Sequence, residues 1–242
     1  MNFHWGIVIK PSRKTIPRLA LALWLSALMP GMHMGLAQEQ VAAEPDKLVL
    51  EHATTLTSMI ENGQIVRKLQ GEVRFRQGSG RMSCDEAIQY TREGRTLFRG
   101  HVRIVDGKKQ LQAVQVNYFE RYQIYEALDS VVYKSGPTTL FTHKLTYYRN
   151  DRKAVAQRNV RVIQSAERLQ LTANHAEYFR DRKYIRVTEN PVLVQFDSTG
   201  QQIMRVTGDL MESFDDGKRV KFTHNVNIWH GQTRAKCEVA EY

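Results

Sequence analysis

The stretch "GHVRIVDGKKQLQAVQVNYFE", residues 100–120, decides the fold. Apolar and polar side chains alternate through Val102 and Ile104, break at Asp106-Gly107, then alternate again through Leu111 and Ala113 toward Tyr118. Period-2 alternation on both sides of an Asp-Gly step reads as strand, tight turn, strand. One hairpin in isolation would bury little, so its recurrence along the chain is the stronger signal.

Aligning "GEVRF" (71–75), "GHVRI" (100–104), "DSVVY" (129–133), "RNVRV" (158–162), "NPVLV" (190–194) and "HNVNI" (224–228) places a valine at 73, 102, 131, 160, 192 and 226, with spacings of 29, 29, 29, 32 and 34. A second motif interleaves, closing on Tyr90, Tyr118, Tyr147, Tyr178, Phe214 and Tyr242. Between the two motifs lie "QGSG", "DGKK", "SGPT", "QSAE", "DSTG" and "HGQT", which carry the Gly, Asp and Ser chemistry of hairpin turns. Each arm is long for one flat strand, and its apolar phase slips at Gly71, Gly100, Asn159, Asn190 and Asn225, and on returning arms at Asn174 and Asp209. Such residues accept bulged or left-handed backbone, and a bulged strand bends. The expected architecture is all-β: an elongated jelly roll of about six repeated kinked hairpins, each feeding two sheets packed face to face.

The alternation assigns faces. Val73 and Phe75, Val102 and Ile104, Val131 and Tyr133, Val160 and Val162, and Val192 and Val194 are expected inside with the sixth pair, Val226 and Ile228. On the returning arms Ile88, Val116, Leu145, Ala176, Met211 and Ala240 take the equivalent place. Arg74, Arg103 and Arg161 then point outward, as solvated charge or as a stripe of anion contacts.

Residues 1–37 read as a cleavable signal peptide, with basic Lys10, Arg13, Lys14 and Arg18, the apolar run "LALALWLSALM" (19–29), and small Gly35 and Ala37 before the expected cut. Residues 38–47 read as a linker and 48–242 as one domain, exported and so periplasmic. The whole chain holds 35 Lys and Arg against 25 Asp and Glu; the first 37 residues contain four of the bases and no acid, leaving 31 against 25, a net of +6. That balance calls for no nucleic acid and suits anionic lipid, anionic glycan or acidic protein. Cys84 and Cys237 fall in the first and last copies, about ten strands apart at ~4.8 Å each, too far to bridge within one molecule. Pairing between molecules stacked end to end is the remaining route.

No catalytic residue, metal site or cofactor is expected. The histidines at 52, 101, 143, 175, 224 and 230 show no metal-ligand spacing, and no nucleophile elbow or phosphate loop occurs. The adjacent acids Asp85-Glu86 and Asp215-Asp216 would point to opposite faces of a strand.

With its repeated G/N-x-V-x-[IVF], Gly-containing turn and D/N-x-A-x-Y, the chain from Leu48 to Tyr242 resembles the OstA-like (organic solvent tolerance protein A) family. The resemblance implies a twisted, V-shaped jelly roll that shelters acyl chains of lipopolysaccharide, or a similar multi-acyl lipid, in an apolar groove. It also implies edge-strand pairing with other jelly-roll transport proteins or an outer-membrane assembly protein, and head-to-tail self-association. Val73, Phe75, Ile104, Tyr133, Val162 and Val194 would line the groove, with polar His143 intruding near its inner face. An envelope scaffold that pairs edges without carrying lipid fits the same alternation.

Overall fold

A computed structural model describes residues 48–241, and the expected signal peptide and Tyr242 lie outside them. The strands are β1 (Val49–His52), β2 (Thr55–Glu61), β3 (Gln64–Gln77), β4 (Gly80–Tyr90), β5 (Arg95–Asp106), β6 (Lys109–Phe119), β7 (Ile124–Ser135) and β8 (Thr138–Tyr148). They continue as β9 (Lys153–Gln164), β10 (Leu169–Phe179), β11 (Tyr184–Thr188), β12 (Val192–Phe196), β13 (Gln202–Thr207), β14 (Leu210–Phe214), β15 (Arg219–His230) and β16 (Thr233–Glu241). All pairings are antiparallel between neighbouring arms of an up-and-down meander. Helix is confined, among the described residues, to three single 3-10 turns.

The pairs β1–β2, β11–β12 and β13–β14 are each one arm interrupted at its bend, so thirteen arms stack side by side. At about 4.8 Å per strand the stack is roughly 58 Å long. Four of the six expected hairpin turns are alike: Gly78, Gly107, Gly136 and Gly231 hold φ between 55 and 58 at the first of two central positions, the type II′ geometry that matches strand twist.

The bends fall where the alternation slips. Two consecutive residues adopt left-handed backbone in each outgoing arm: Gly71-Glu72, Gly100-His101, Asp129-Ser130, Arg158-Asn159, Glu189-Asn190 and His224-Asn225. Opposite each pair the ladder skips, as between Gln70 and Val73 and between Arg99 and Val102. Every arm therefore crosses from one half-sheet into a second, and the two halves close on a shared apolar interior. Phe75 of one half and Phe98 of the other meet edge to face at 5.4 Å between ring centres, an arrangement that adds about 1 kcal/mol to simple burial.

Two inner rows define that interior. In the first half-sheet Phe75, Met82, Ile104, Leu111, Tyr133, Leu140, Val162 and Leu171 stand directly opposite one another in successive arms. In the second, Leu69, Ala87, Phe98, Val116, Ala127, Leu145, Ala156, Ala176, Val187 and Met211 do the same. Ala87, not Ile88, takes the inner place on β4, because the bend at Cys84-Asp85 shifts the phase and pairs Ile88 with Leu97 on the outer side.

Candidate functional site

Of the expected groove residues, Val73, Phe75, Val102, Val131, Tyr133, Val160 and Val162 face inward and are buried, and Ile104 packs against them half-exposed. Val192, half-exposed, does not join this set, and Val194 is buried but lies outside the interior cluster. Leu193 stands opposite Leu171 in the inner row, while Val192 stands opposite Thr172 and Val194 opposite Gln170 on the outer side. The left-handed pair Glu189-Asn190 ends one residue earlier relative to the valine than in the other copies, so Pro191 takes the position of Val73 and the inward phase passes through Leu193. His143 also departs from expectation: it lies exposed at the bend of β8, 3.3 Å from Asn159 Nδ2, outside the core.

Arg74, Arg103 and Arg161 share one outer row, linked in register through Ser83, Gln112, Val132 and Phe141. Arg74 pairs with Glu72 at 2.8 Å, Arg103 donates to Gln110 Oε1 at 3.4 Å, and the Arg161 guanidinium lies 4.5 Å over the Phe141 ring. Spacings of about 10 and 19 Å and three different partners make these separate surface groups, not one anion clamp.

The interior is filled through its middle arms. Tyr133, Leu140, Val160 and Val162 are each at most 2% exposed, and burial pushes the Tyr133 hydroxyl up to about 12. Space opens toward the first arms, where a cavity of about 110 Å³ lies between the half-sheets. Met82, Ile104 and Leu111 wall it on one side and Val116, Ala127 and Leu145 on the other; Gln77, Ser79, Arg81, Asp106 and Arg149 form its polar rim. Tyr125 spans the cavity and donates to Gln77 Oε1 at 3.1 Å across the two halves. It stacks on Tyr118 at 4.5 Å, and burial, reinforced by Tyr118, raises its pKa strongly.

Sequence reasoning placed Ile104, Val116 and Leu145 of this lining and missed Ala127 together with two residues of the returning arms, Met82 and Leu111. Each is the second residue after a tight turn's end, so counting in twos from Gly80 and Lys109 would have found both. It also missed Arg149 and Tyr125, whose place depends on how the second half-sheet closes over the first.

The two cysteines occupy equivalent rungs, Cys84 opposite Val73 and Cys237 opposite Val226. Both are free. Cys84 is buried on β4, two arms in from the β1 edge, so in-register end-to-end stacking would leave it about 14 Å from Cys237 of the next copy, beyond disulfide reach. No group of acids, histidines and cysteines among the described residues could hold a metal ion.

Among the described residues both ends of the stack are open edges. β1 and β2 are exposed along their whole length, and "TLTSMIE" of β2 carries a single charge, Glu61. At the far edge β16 bonds, among the described residues, only to β15, and it bears Arg234, Lys236, Glu238 and Glu241.

A two-layer antiparallel roll of repeated kinked hairpins, closed over an apolar interior and open at both edges, is the class of protein these features define. The sequence profile of the OstA-like protein family matches residues 45–201, well over half of the chain, and the chain belongs to that family. The last arms, β13 to β16, continue the pattern beyond the matched residues. Among solved structures the chain is similar to LptH, the LptA homologous periplasmic component of the conserved lipopolysaccharide transport device from Pseudomonas aeruginosa. The two share 17% identity with a TM-score of 0.41, over 46% of this chain and 82% of that one. No curated protein matches.

Proposed function

We propose that this chain is a periplasmic, non-enzymatic carrier segment for a multi-acyl lipid, lipopolysaccharide foremost, in a bridge toward the outer membrane. Residues 1–37 would be removed on export, 38–47 would link, and 48–242 would form the working domain. The observation that carries this reading is the apolar-walled cavity with a charged rim between the half-sheets; family membership supports it. The inward valines, with Phe75, Ile104 and Tyr133, would continue the path for acyl chains, each buried methylene contributing about 0.8 kcal/mol. Because the middle arms are filled, passage would require the half-sheets to part or their side chains to shift. Edges β1–β2 and β16 would add strands from a neighbouring roll, the partner being another jelly-roll protein, an outer-membrane assembly protein or a second copy.

The test is mass spectrometry of lipid extracted from the exported chain, purified from its own envelope without detergent. Lipopolysaccharide or another multi-acyl lipid near one per chain is expected. A folded protein free of such lipid would overturn the carrier reading. The filled middle of the roll together with the open edges favours a second reading, an envelope scaffold that pairs edges and carries nothing; that outcome would select it.

A further inference from the structure

Among the described residues the rim of the cavity carries more positive charge than it neutralises: Arg81 and Arg149 against Asp106. Four bases elsewhere on the second half-sheet have an acid partner: Arg152 with Asp181 at 2.9 Å, Arg95 with Glu93 at 2.8 Å, Lys153 with Glu177 at 2.6 Å, and Arg99 with Glu86. The two arginines of the cavity rim have no such partner among the described residues. Arg149 has a neutral partner, donating to Gln123 Oε1 at 3.2 Å, and no acid pairs with Arg81 among the described residues. Asp106 is the one acid on the rim among the described residues, and its Oδ1 accepts from Ser79 at 2.7 Å. Lys109, next to the same turn, is held below the ordinary lysine value first by burial; Asp106 opposes the shift, and Arg180, approaching from the other half-sheet, adds to it. The turn segments lie in a bonded stack, Arg149 N to Gln123 O at 3.1 Å and Arg180 N to Arg152 O at 3.0 Å, so their guanidinium groups are carried on fixed backbone.

A cavity with apolar walls and an under-neutralised basic rim has the polarity of an anionic amphiphile. At about 30 Å³ for each water-sized atom it has room for roughly four, a short length of one chain. Guanidinium forks suit phosphate, which they grip with paired, charge-assisted hydrogen bonds.

We propose that this rim is a headgroup seat, in which Arg149 and Arg81, one from each half-sheet, hold a phosphate of the carried lipid while the adjoining acyl segment lies against Leu111, Val116 and Leu145. The proposal rests on the lipid-carrier reading and adds to it a headgroup class, a phosphorylated acyl lipid, and the residues that select it. It gives the lipid a defined polarity in the roll, head at the seam and chains inward, where an apolar path alone would accept any chain.

The experiment compares binding of lipopolysaccharide with the same material after enzymatic removal of its phosphates, by co-elution with the exported chain. Loss of one charged hydrogen-bonding partner is worth about tenfold or more in affinity, so dephosphorylation should weaken binding at least about tenfold. R149Q and R81Q should weaken the phosphorylated lipid alone, and added salt should reduce the difference. Gln123→Ala removes the structural contact of Arg149 and keeps its charge, so it should bind like the native chain; thermal melts confirm that each variant folds. Equal binding of both lipids, unchanged in the arginine variants, would overturn the seat and leave the carrier reading standing. Binding of neither would overturn both.

Discussion

The bends make a flat meander into a two-layer roll with an interior, and Gly100 tests that argument. Its φ of +76 carries a left-handed step at the bend of β5. A Cβ built there would come within 2.8 Å of both Cβ and Cγ of Asp85 and closer still to its carboxylate. Gly107, in the turn of the same hairpin, also has positive φ (+57), yet nothing lies within 4 Å of its would-be Cβ. Alanine at either position incurs the left-handed penalty of about 1–2 kcal/mol. At Gly100 a crowding cost of about 1–3 kcal/mol is added, because the nearest atoms include a Cβ fixed to the backbone and cannot swing away. We expect Gly107→Ala to cost about 1–2 kcal/mol and Gly100→Ala about 2–5 kcal/mol in urea unfolding. For a domain of this size that difference corresponds to a further drop of several degrees in Tm, at about 2–4 °C per kcal/mol. Equal losses at the two positions would show that Asp85 yields freely and that close packing at the bend does not hold the half-sheets in place.

Leu193→Ala should cost about 2–5 kcal/mol as a buried truncation and Val192→Ala well under 1 kcal/mol; the reverse order in urea unfolding would restore the valine register at the fifth copy. Burial, then Asp85, pushes the Cys84 thiol up to about 12, so a thiol reagent at pH 8 should titrate one rapid equivalent, from Cys237, in the folded chain and two after unfolding. A rapid second equivalent without unfolding would contradict the burial of Cys84. Burial alone would raise the Glu86 carboxyl, but Lys68, at 2.7 Å, and Arg99 outweigh it and hold it below the ordinary range. A depressed carboxyl stabilises above its unfolded pKa and loses that contribution as pH falls through the folded one. The stability gap between native and Glu86→Gln, about 1 kcal/mol given the partial exposure of both cations, should hold at pH 7 and shrink as pH falls from the usual Glu range of about 4.3. A gap unchanged to pH 3 would remove Lys68 and Arg99 as its cause.

Much of the fold was legible because strand physics is local. Alternation in twos marks which side chains share a face, Gly and Asp mark turns, and a break in phase marks a bend. These signals set the meander, its repeats and the inward place of Val73, Val102, Val131 and Val160. They slipped at the fifth copy, where a valine-for-valine alignment carried the register one residue past the left-handed pair and gave Val192 and Val194 the inward phase that Leu193 takes, although Val194 is buried as well. Ile88 was misplaced for the same reason, since the bend on β4 comes at Cys84-Asp85 without the Gly or Asn that flags the outgoing arms.

The sequence by itself determined the strands, their order and most of their faces, because each depends on neighbours a few residues apart. Only the tertiary structure decided how the two half-sheets approach, and that is a matter of side-chain volume across a gap between residues distant in the chain. Tyr133 and Leu140 fill the gap in the middle arms. Nearer the first arms the facing side chains, Ala127 among them, leave the space that Tyr125 bridges to Gln77. That Arg81 and Arg149, 68 residues apart in the chain, line one cavity follows from that closure, and no periodicity records it.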